Sequence, residues 1–254
     1  MKFPIGPRLG TLLAAASLTA ALAPYAIAAP ASWTAILADA GRPDTDKTRD
    51  PDRKPADMLA FAKVRPGETI VDFLPGKGYF TRLFSLAAGP RGTVYAVTPQ
   101  VYVDKAKGRP LPPPVSGEPG RGNVHELVAT AESFGLPKKA DLVWTSQNYH
   151  DVHIWLGAAG TAMLNKQVFE ALKPGGRYVI LDHAGAAGLD DAGMAKMHRI
   201  DEALVKSEVT KAGFVLDGES NVLRNPADPH SANVFDPSIR GKTDQFVLRF
   251  RKPG

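Results

Sequence analysis

A run of consecutive hydrogen-bonding side chains, residues 145–151 (TSQNYHD), follows a short apolar segment in the middle of the chain. It contains Tyr149, His150 and Asp151, and His183 follows the next apolar segment in a similar position. Histidine exchanges a proton near neutral pH, which suits it to act as a general base. We therefore take His150 and His183 as candidate catalytic bases, and Tyr149 and Asp151 as candidate catalytic residues that orient a base.

The same run also has a structural interpretation. Ser146 or Asn148 is suited to cap the N-terminus of a helix, and Asp151 would favour the dipole of its first turn. A site and a helix start can coincide in one segment. For each lone histidine, a purely structural hydrogen bond is the alternative to catalysis.

A metal site is a further alternative for the histidines. His150 and His153 are spaced i, i+3, so they could share one helix face, and Asp151, His183 and His198 offer more ligand atoms. The H-D-x-H pattern, however, also arises often in loops and by chance. The sequence therefore predicts no metal site.

The elements that must position these residues alternate between strand-like and helix-like segments. Five segments are rich in β-branched and aromatic residues, and most are nearly continuous in hydrophobicity, which is typical of parallel strands covered on both faces. Helical periodicity between them predicts a βαβ series with right-handed crossovers. The five are ETIVDFL (68–74), GTVYAV (92–97), NVHELVAT (123–130), ADLVWTS (140–146) and GRYVILDH (176–183).

The C-terminal part departs from this rhythm. Two strand-like segments, GFVLDGESNVL (213–223) and DQFVLRFRK (244–252), are joined by a polar segment with too few hydrophobic residues for a crossover helix. The predicted fold is an α/β, doubly wound Rossmann-like sheet, mostly parallel with an antiparallel C-terminal strand pair. Ligands bind such sheets at the carboxyl ends of the strands. The polar segment 224–243 is a candidate lid.

A glycine turn follows the first predicted strand in TIVDFLPGKGYFT (69–81). It lacks the first glycine of a P-loop and the third glycine of a dinucleotide loop. It fits D-x-x-x-G-x-G through Asp72, Gly76 and Gly78, a pattern that lets backbone N–H groups approach a small charged ligand. The same strand-turn-helix pattern also occurs for packing alone.

Together with its neighbours, this loop resembles that of the class I S-adenosylmethionine-dependent methyltransferases. The resemblance runs from about Pro51 to Lys252 and includes LPKKADLV (136–143), FEALKPGGRYVILD (169–182) and KAGF (211–214). A narrower likeness is to a group of exported proteins that are predicted methyltransferases, with which the chain shares PGxGYFT, WTSQNYHD, HRID and NVFDPSIRGKTDQFVLRFRKP. The chain is identified as a member of that group.

The resemblance implies S-adenosylmethionine as the cofactor and a small molecule as the methyl acceptor. Methyl transfer is an in-line displacement, so it needs an aligned acceptor and, for an O–H or N–H acceptor, a base. The candidate cofactor-binding residues are Asp72, Pro75, Gly76, Gly78, Tyr79, Thr98, Thr130, Ser146, Gln147 and Asn148.

Three positions depart from the family pattern. Leu74 stands where the family has its first glycine, Thr98 where an acid holds the ribose hydroxyls, and Thr130 where an acid often meets the adenine amino group. A hydroxyl can hydrogen-bond but carries no charge. One alternative to a methyltransferase is a non-catalytic protein that binds another ligand on this fold. Another is a hydrolase or metal-dependent enzyme that uses the histidines, although the sequence has no nucleophile motif such as G-x-S-x-G.

The N-terminal residues predict export. Lys2 and Arg8, the apolar segment 9–23 and the small-x-small residues 26–28 form the pattern of a cleaved secretory signal peptide, residues 1–28. A flexible segment, 29–50, and one methyltransferase-like domain, 51–254, are expected to follow. The protein is then periplasmic, without stable membrane insertion after cleavage.

Composition limits the remaining classes. The chain has no cysteine, which excludes disulfides, thiolate metal sites and thiol catalysis. The net charge is +5, and without Lys2 and Arg8 it is 5 − 2 = +3, because no acidic residue precedes Asp39. So mild and dispersed a charge predicts no nucleic-acid partner.

Overall fold

The computed structural model of the chain describes Met1 and residues 32–254. The predicted signal peptide, apart from Met1, and its cleavage position lie outside the described residues. In the part of the chain that is described, no helix is both long enough and apolar enough to span a membrane.

Seven strands form one sheet. They are β1 Thr69–Phe73, β2 Thr93–Pro99, β3 Val124–Ala129, β4 Ala140–Ser146, β5 Leu172–His183, β6 Val215–Ser220 and β7 Gln245–Arg251. Their order across the sheet is β3-β2-β1-β4-β5-β7-β6. The first five strands pair in parallel, and β7 pairs antiparallel with both β5 and β6. The predicted fold class, with its antiparallel C-terminal pair, is confirmed.

Helices cover both faces of this sheet. Within residues 32–254 they are α1 Trp33–Leu37, α2 Asp44–Lys47, α3 Asp50–Arg53, α4 Pro55–Phe61, α5 Tyr79–Ala88, α6 Gln100–Lys105, α7 Tyr149–Ala171, α8 Asp191–Met197 and α9 Glu202–Lys211. α7 is interrupted at Gly157, whose backbone is not helical. α5 and the second half of α7 lie between strands, where helical periodicity predicted helices.

The core has two parts, one on each face of the sheet. On one face the indole of Trp144 in β4 packs against Phe80 and Phe84 of α5, with ring centroids 4.6 and 5.6 Å apart. On the other face Tyr178 of β5 packs against Phe214, with ring centroids 5.6 Å apart. All five side chains are buried. Apolar burial on both faces explains why the central strands are nearly continuous in hydrophobicity.

The N-terminal segment differs from the sequence expectation. Residues 33–53 form α1, α2 and α3, whereas a flexible segment was expected up to residue 50. A buried arginine of the domain attaches it, since Arg82 of α5 pairs with Asp46 at 3.0 Å. Within the segment, the buried Arg42 pairs with Asp50 at 2.6 Å. Ion pairs between distant residues leave no hydrophobic period, so the pattern that predicts helices did not reveal them.

Two connections complete the edge that carries the site. Between β2 and β3, a 3-10 turn at Val115–Gly117 places the Val115 side chain in the core. Between β6 and β7 the predicted irregular segment is held by Asp228, whose buried carboxylate pairs with Arg199 at 2.8 Å. Both connections therefore present fixed side chains at the carboxyl end of the sheet.

Candidate active site

The glycine loop after β1 has an unusual backbone. Leu74, Gly76 and Gly78 all have positive φ, of 57°, 56° and 80°. A Cβ added at Gly76 would meet no atom within 4 Å, whereas one at Gly78 would lie 2.3 Å from Cγ2 of Val115. Leu74 adopts this conformation without being a glycine, and its N–H donates to the carbonyl of Val97 at 2.9 Å. The loop therefore keeps its turn although the first glycine is absent.

A first cavity of about 290 Å³ opens beside this loop. The loop, Thr98 of β2 and residues of β3 line it, together with Asn148, Tyr102 and residues 111–115. Of the predicted cofactor-binding residues, Pro75, Gly76, Gly78, Thr98 and Asn148 line it.

Glu126 lines the first cavity but is not among the residues predicted from the sequence. It lies on β3 opposite Ala96 of β2, and both line the cavity. One carboxylate oxygen accepts the backbone N–H of Ser116 at 3.0 Å, and among residues 32–254 the other oxygen has no protein donor. Sequence spacing does not reveal Glu126, because this residue at the centre of β3 reaches the cavity only through the pairing of β3 with β2.

Asp72 and Tyr79 were predicted to bind cofactor but do not line the first cavity. The buried Asp72 carboxylate accepts the Thr81 hydroxyl at 2.6 Å, and Thr81 itself lines the cavity. Burial raises the pKa of Asp72 to about 7, although the hydrogen bond from Thr81 acts in the opposite direction. The Tyr79 hydroxyl donates to Asp50 at 2.6 Å, away from the cavity. Asp72 therefore holds Thr81 in place, and Tyr79 joins the start of α5 to α3.

Thr130, Ser146 and Gln147 also lie outside the first cavity. The Thr130 hydroxyl accepts the backbone N–H groups of Glu132 and Ser133, both at 3.2 Å, so it closes a turn after β3. Ser146 and Gln147 face a separate, second cavity. The predicted cofactor-binding residues are therefore divided among the first cavity, the second cavity and positions that line neither.

The second cavity has a volume of about 210 Å³ and lies at the carboxyl ends of β4 and β5. Ser146, Gln147 and His183 line it from these strands, and Phe235 and Arg240 line it from the segment before β7. Phe80, Leu181, Leu223 and Val234 give it an apolar part. The candidate lid therefore forms one wall of this cavity.

Arginines give the second cavity its charge. Arg53 lies with its guanidinium carbon 4.7 Å from the centroid of Tyr79 and 5.6 Å from that of Phe80, and it donates to Gln147 at 3.3 Å. Its Nε is buried and has no hydrogen-bond partner in the described structure. Burial and the neighbouring Arg49 lower the pKa of Arg53 to about 10, so it remains charged at neutral pH. The cavity thus holds an arginine suited to an anion.

His150 and His183, the two candidate bases, differ in environment. Nδ1 of the buried His150 is 2.7 Å from the Asp182 carboxylate. Burial acts to lower the pKa of His150, but the attraction of Asp182 raises it overall. Nδ1 of His183 is 2.7 Å from the Thr243 hydroxyl, and burial lowers the pKa of His183 to about 4. His183 is therefore a neutral imidazole that lines the second cavity.

Tyr149, predicted to orient a base, does not face either cavity. Its side chain is fully buried, its hydroxyl donates to Glu208 at 2.9 Å, and it accepts the Asn165 amide at 2.8 Å. His153 points the same way, with Nε2 3.2 Å from Glu208. These two residues, four apart on α7, pack the helix against α9 and leave His150 and Asp151 on the other side.

The comparisons with known proteins begin with sequence. No protein-family model matches the chain. Over 123 residues it is 32% identical to a protein-L-isoaspartate O-methyltransferase from Aeropyrum pernix, an alignment that covers 48% of this chain and 42% of that protein. The chain thus spans less than half the length of this curated relative.

Solved structures share the fold over most of the chain. A SAM dependent methyltransferase from Aquifex aeolicus aligns with a TM-score of 0.52 at 20% identity, over 83% of this chain and 98% of that one. An O-methyltransferase family protein from Burkholderia thailandensis aligns with a TM-score of 0.51 at 15% identity, over 82% and 59%. With the strand order, these alignments decide the fold. The protein has the class I methyltransferase fold.

This methyltransferase fold does not by itself fix the reaction. The [4+2]-cyclase SpnF aligns with a TM-score of 0.53 at 18% identity, over 80% of each chain. A fold hosts many chemistries, and function must be argued from the site. The side chains of the two cavities, rather than the sheet, therefore carry the functional argument.

Proposed function

We propose that the protein is an S-adenosylmethionine-dependent methyltransferase that acts on a small-molecule acceptor outside the cytoplasm. The observation that carries the proposal is the first cavity, which is lined both by the glycine loop after β1 and by the carboxylate of Glu126 on β3. Its likeness to methyltransferases in sequence and fold supports the same assignment.

The residues of the first cavity fit this cofactor. Gly76 leaves open space where a side chain would stand, so a ligand can approach the backbone of the loop. The free oxygen of Glu126 and the hydroxyl of Thr98 lie on adjacent strands and suit the hydroxyls of a ribose. We propose that Glu126 takes the place of the acid that is missing at Thr98.

The second cavity is the proposed acceptor site. Residues 146–148 join the two cavities, since Ser146 and Gln147 line the second and Asn148 lines the first. When bound, S-adenosylmethionine supplies an electrophilic methyl group on its sulfonium. The neutral imidazole of His183 can accept a proton from an O–H or N–H acceptor, and Arg53 can hold an anionic group of that acceptor in position.

Calorimetry of the full chain with S-adenosylmethionine and S-adenosylhomocysteine tests the cofactor. Glu126→Gln is expected to lower the affinity for both by about 10-fold, the scale of a hydrogen bond to a charged group. Glu132→Gln, which alters an exposed acid outside the first cavity, is the matched control and should bind normally. No binding of either ligand to the natural protein at millimolar concentration would refute the proposal.

A non-catalytic binding protein on the same fold is the second candidate. Thr98 and Thr130 favour it, because neither supplies the acid of the family pattern and Thr130 lies outside the first cavity. Binding of S-adenosylhomocysteine without transfer to any of a panel of hydroxyl, amine and carboxylate acceptors would favour this candidate over the enzyme.

The proposed location outside the cytoplasm rests on residues 1–28. It is tested by expressing the full chain in a Gram-negative host and sequencing the N-terminus of the protein released from the periplasm. A mature chain that begins at Ala29 is expected. An uncleaved chain confined to the cytoplasm would contradict the location while leaving the proposed chemistry untouched.

A further inference from the structure

Three side chains near the second cavity converge on one point. Nε2 of His150 is 3.5 Å and Nδ1 of His198 is 3.4 Å from the same oxygen, Oδ1 of Asp151. All three ligand atoms lie within 4.8 Å of one another. His153 and His183, the other histidines considered as metal ligands from their spacing, are not part of this cluster.

The separations fit a bound ion better than direct hydrogen bonds. An N–H···O bond is normally 2.7–3.2 Å long, and Nδ1 of His198 is buried without a hydrogen-bond partner in the described structure. Two ligand atoms about 2.1 Å from one ion at a tetrahedral angle lie about 3.4 Å apart. The two separations from Asp151 therefore match the edges of a tetrahedral site.

The orientation of His150 suits a ligand. Its Nδ1 is 2.7 Å from Oδ1 of Asp182, and its backbone N–H donates to Oδ2 of the same carboxylate at 2.8 Å. Asp182 is fully buried and so holds the imidazole in one orientation, with Nδ1 protonated and the lone pair of Nε2 directed at the cluster. A carboxylate behind a histidine is the usual support of a metal-binding imidazole.

His198 is held in an uncommon conformation. It ends α8 with φ 53° and ψ 48°, a left-handed backbone that costs a non-glycine residue energy. Its ring stacks edge-on against Phe235, with centroids 5.1 Å apart. Phe235 lines the second cavity, so the cluster borders that cavity. Backbone and ring contacts together aim Nδ1 at Asp151.

We propose that His150, Asp151 and His198 bind one divalent transition-metal ion. Two imidazoles and one carboxylate suit Zn²⁺, Mn²⁺, Fe²⁺ or Co²⁺ rather than Ca²⁺ or Mg²⁺, which prefer oxygen ligands. The side chains of Asp151 and His198 are 22% and 30% exposed, which leaves a coordination position for water or another oxygen ligand. Binding of the ion stands independently of methyl transfer. Its use, to hold and acidify an oxygen of the acceptor, rests on the proposed function.

The test is metal analysis of the full chain, purified without chelators and without a histidine tag. About one transition-metal ion per chain is expected. After the ion is removed with dipicolinate, titration with Co²⁺ should produce visible absorption bands with a 1:1 end point. The titration contains no S-adenosylmethionine, so the metal site and the methyltransferase proposal can fail separately.

Substitutions locate the ion. His198→Asn keeps a residue that tolerates the left-handed backbone, and Asp151→Asn keeps the shape of the side chain. Each should weaken Co²⁺ binding at least 100-fold, while His125→Asn, at an exposed histidine on β3, should bind as the natural protein does. Absence of Co²⁺ binding at micromolar ion, or normal binding by His198→Asn in a folded chain, would overturn the proposal.

Discussion

The two cavities at the carboxyl edge of the sheet are built in different ways. The first is lined by residues between 74 and 128 together with Asn148, and its loop contributes backbone and uncharged groups. The second gathers side chains from residue 49 to residue 245, three of them arginines. The first cavity is thus a local product of the chain around β1–β3, whereas the second exists only when distant segments have docked.

Arg42 provides the largest expected effect on the docked segments. Its side chain is fully buried, and it pairs with Asp50 at 2.6 Å and donates to the carbonyl of Leu37 at 2.8 Å. Arg42→Met leaves the Asp50 carboxylate without its cation, which should lower the free energy of unfolding by about 3 kcal/mol. Urea unfolding measures this loss. Because Arg53 ends α3 and Arg49 is its N-cap residue, the second cavity should lose these two arginines before the first cavity is affected.

A second variant controls for lost packing. In Arg42→Met with Asp50→Asn no charge remains unpaired, so the double variant should be more stable than Arg42→Met alone. If the single variant loses less than about 1 kcal/mol, the N-terminal helices do not depend on this ion pair, and the proposed contrast between the two cavities fails.

Gly78 gives the corresponding test of the first cavity. Its φ is 80° and an added Cβ would lie 2.3 Å from Val115, so Gly78→Val should cost about 3 kcal/mol in stability from backbone strain and overpacking. Gly76→Ala, with open space around its Cβ, should cost only about 1 kcal/mol. Thermal unfolding compares them. Equal losses would show that the Val115 turn does not pack on the loop.

The difference between the cavities also explains what the sequence could predict. All seven strands and the antiparallel closing pair were predicted from the hydrophobic pattern. A motif and a family resemblance pointed to Pro75, Gly76, Gly78, Thr98 and Asn148, which line the first cavity; their binding of a cofactor stays a prediction. These features depend on residues close together in the chain or on a recurrent fold.

The features that sequence patterns missed depend on long-range pairing. Glu126 enters the first cavity through the register of β3 beside β2, and the N-terminal helices are attached to α5 by the ion pair of Arg82 with Asp46. Tyr149 carries a polar group suited to catalysis, but its hydroxyl bonds Glu208, fifty-nine residues away. The spacing of residues 145–151 does not show that Tyr149 and His150 point in different directions. The orientation of α7 in the fold determines this.

The buried carboxyl group of Asp72, behind the first cavity, should make the stability of the protein depend on pH. The pKa of Asp72 is about 7 in the folded protein, above the ordinary carboxyl value of 3.8, because the side chain is buried. Between these values the folded protein holds a proton that the unfolded chain releases, so stability falls as the pH rises from about 4 to 7 and stays low above it.

Asp72→Asn should remove this dependence. The variant is expected to gain on the order of 2 kcal/mol in stability at pH 8 and nothing at pH 4, because its amide oxygen can still accept the Thr81 hydroxyl. Chemical unfolding at both pH values checks the sign. Since Asp72 lies behind Thr81, affinity for S-adenosylmethionine should change little. A gain at pH 4 as large as that at pH 8 would contradict the titration of Asp72.

Arg53 carries the smallest expected change in stability and the most direct test of the second cavity. It is the counterpart of Arg42: its buried Nε has no partner in the described structure, and its contacts are Gln147 and two aromatic rings. Burial of a charge without an ion-pair partner costs desolvation free energy. Arg53→Met, which keeps an apolar side chain over Tyr79 and Phe80, should therefore raise stability by up to about 1 kcal/mol.

The gain in stability should come with a loss of anion binding in the second cavity. Benzoate and phenyl phosphate should raise the unfolding temperature of the natural protein more than the uncharged benzamide does, and Arg53→Met should abolish the difference. Destabilisation by this substitution, or equal effects of benzoate and benzamide on the natural protein, would mean that Arg53 holds the domain together rather than an anion.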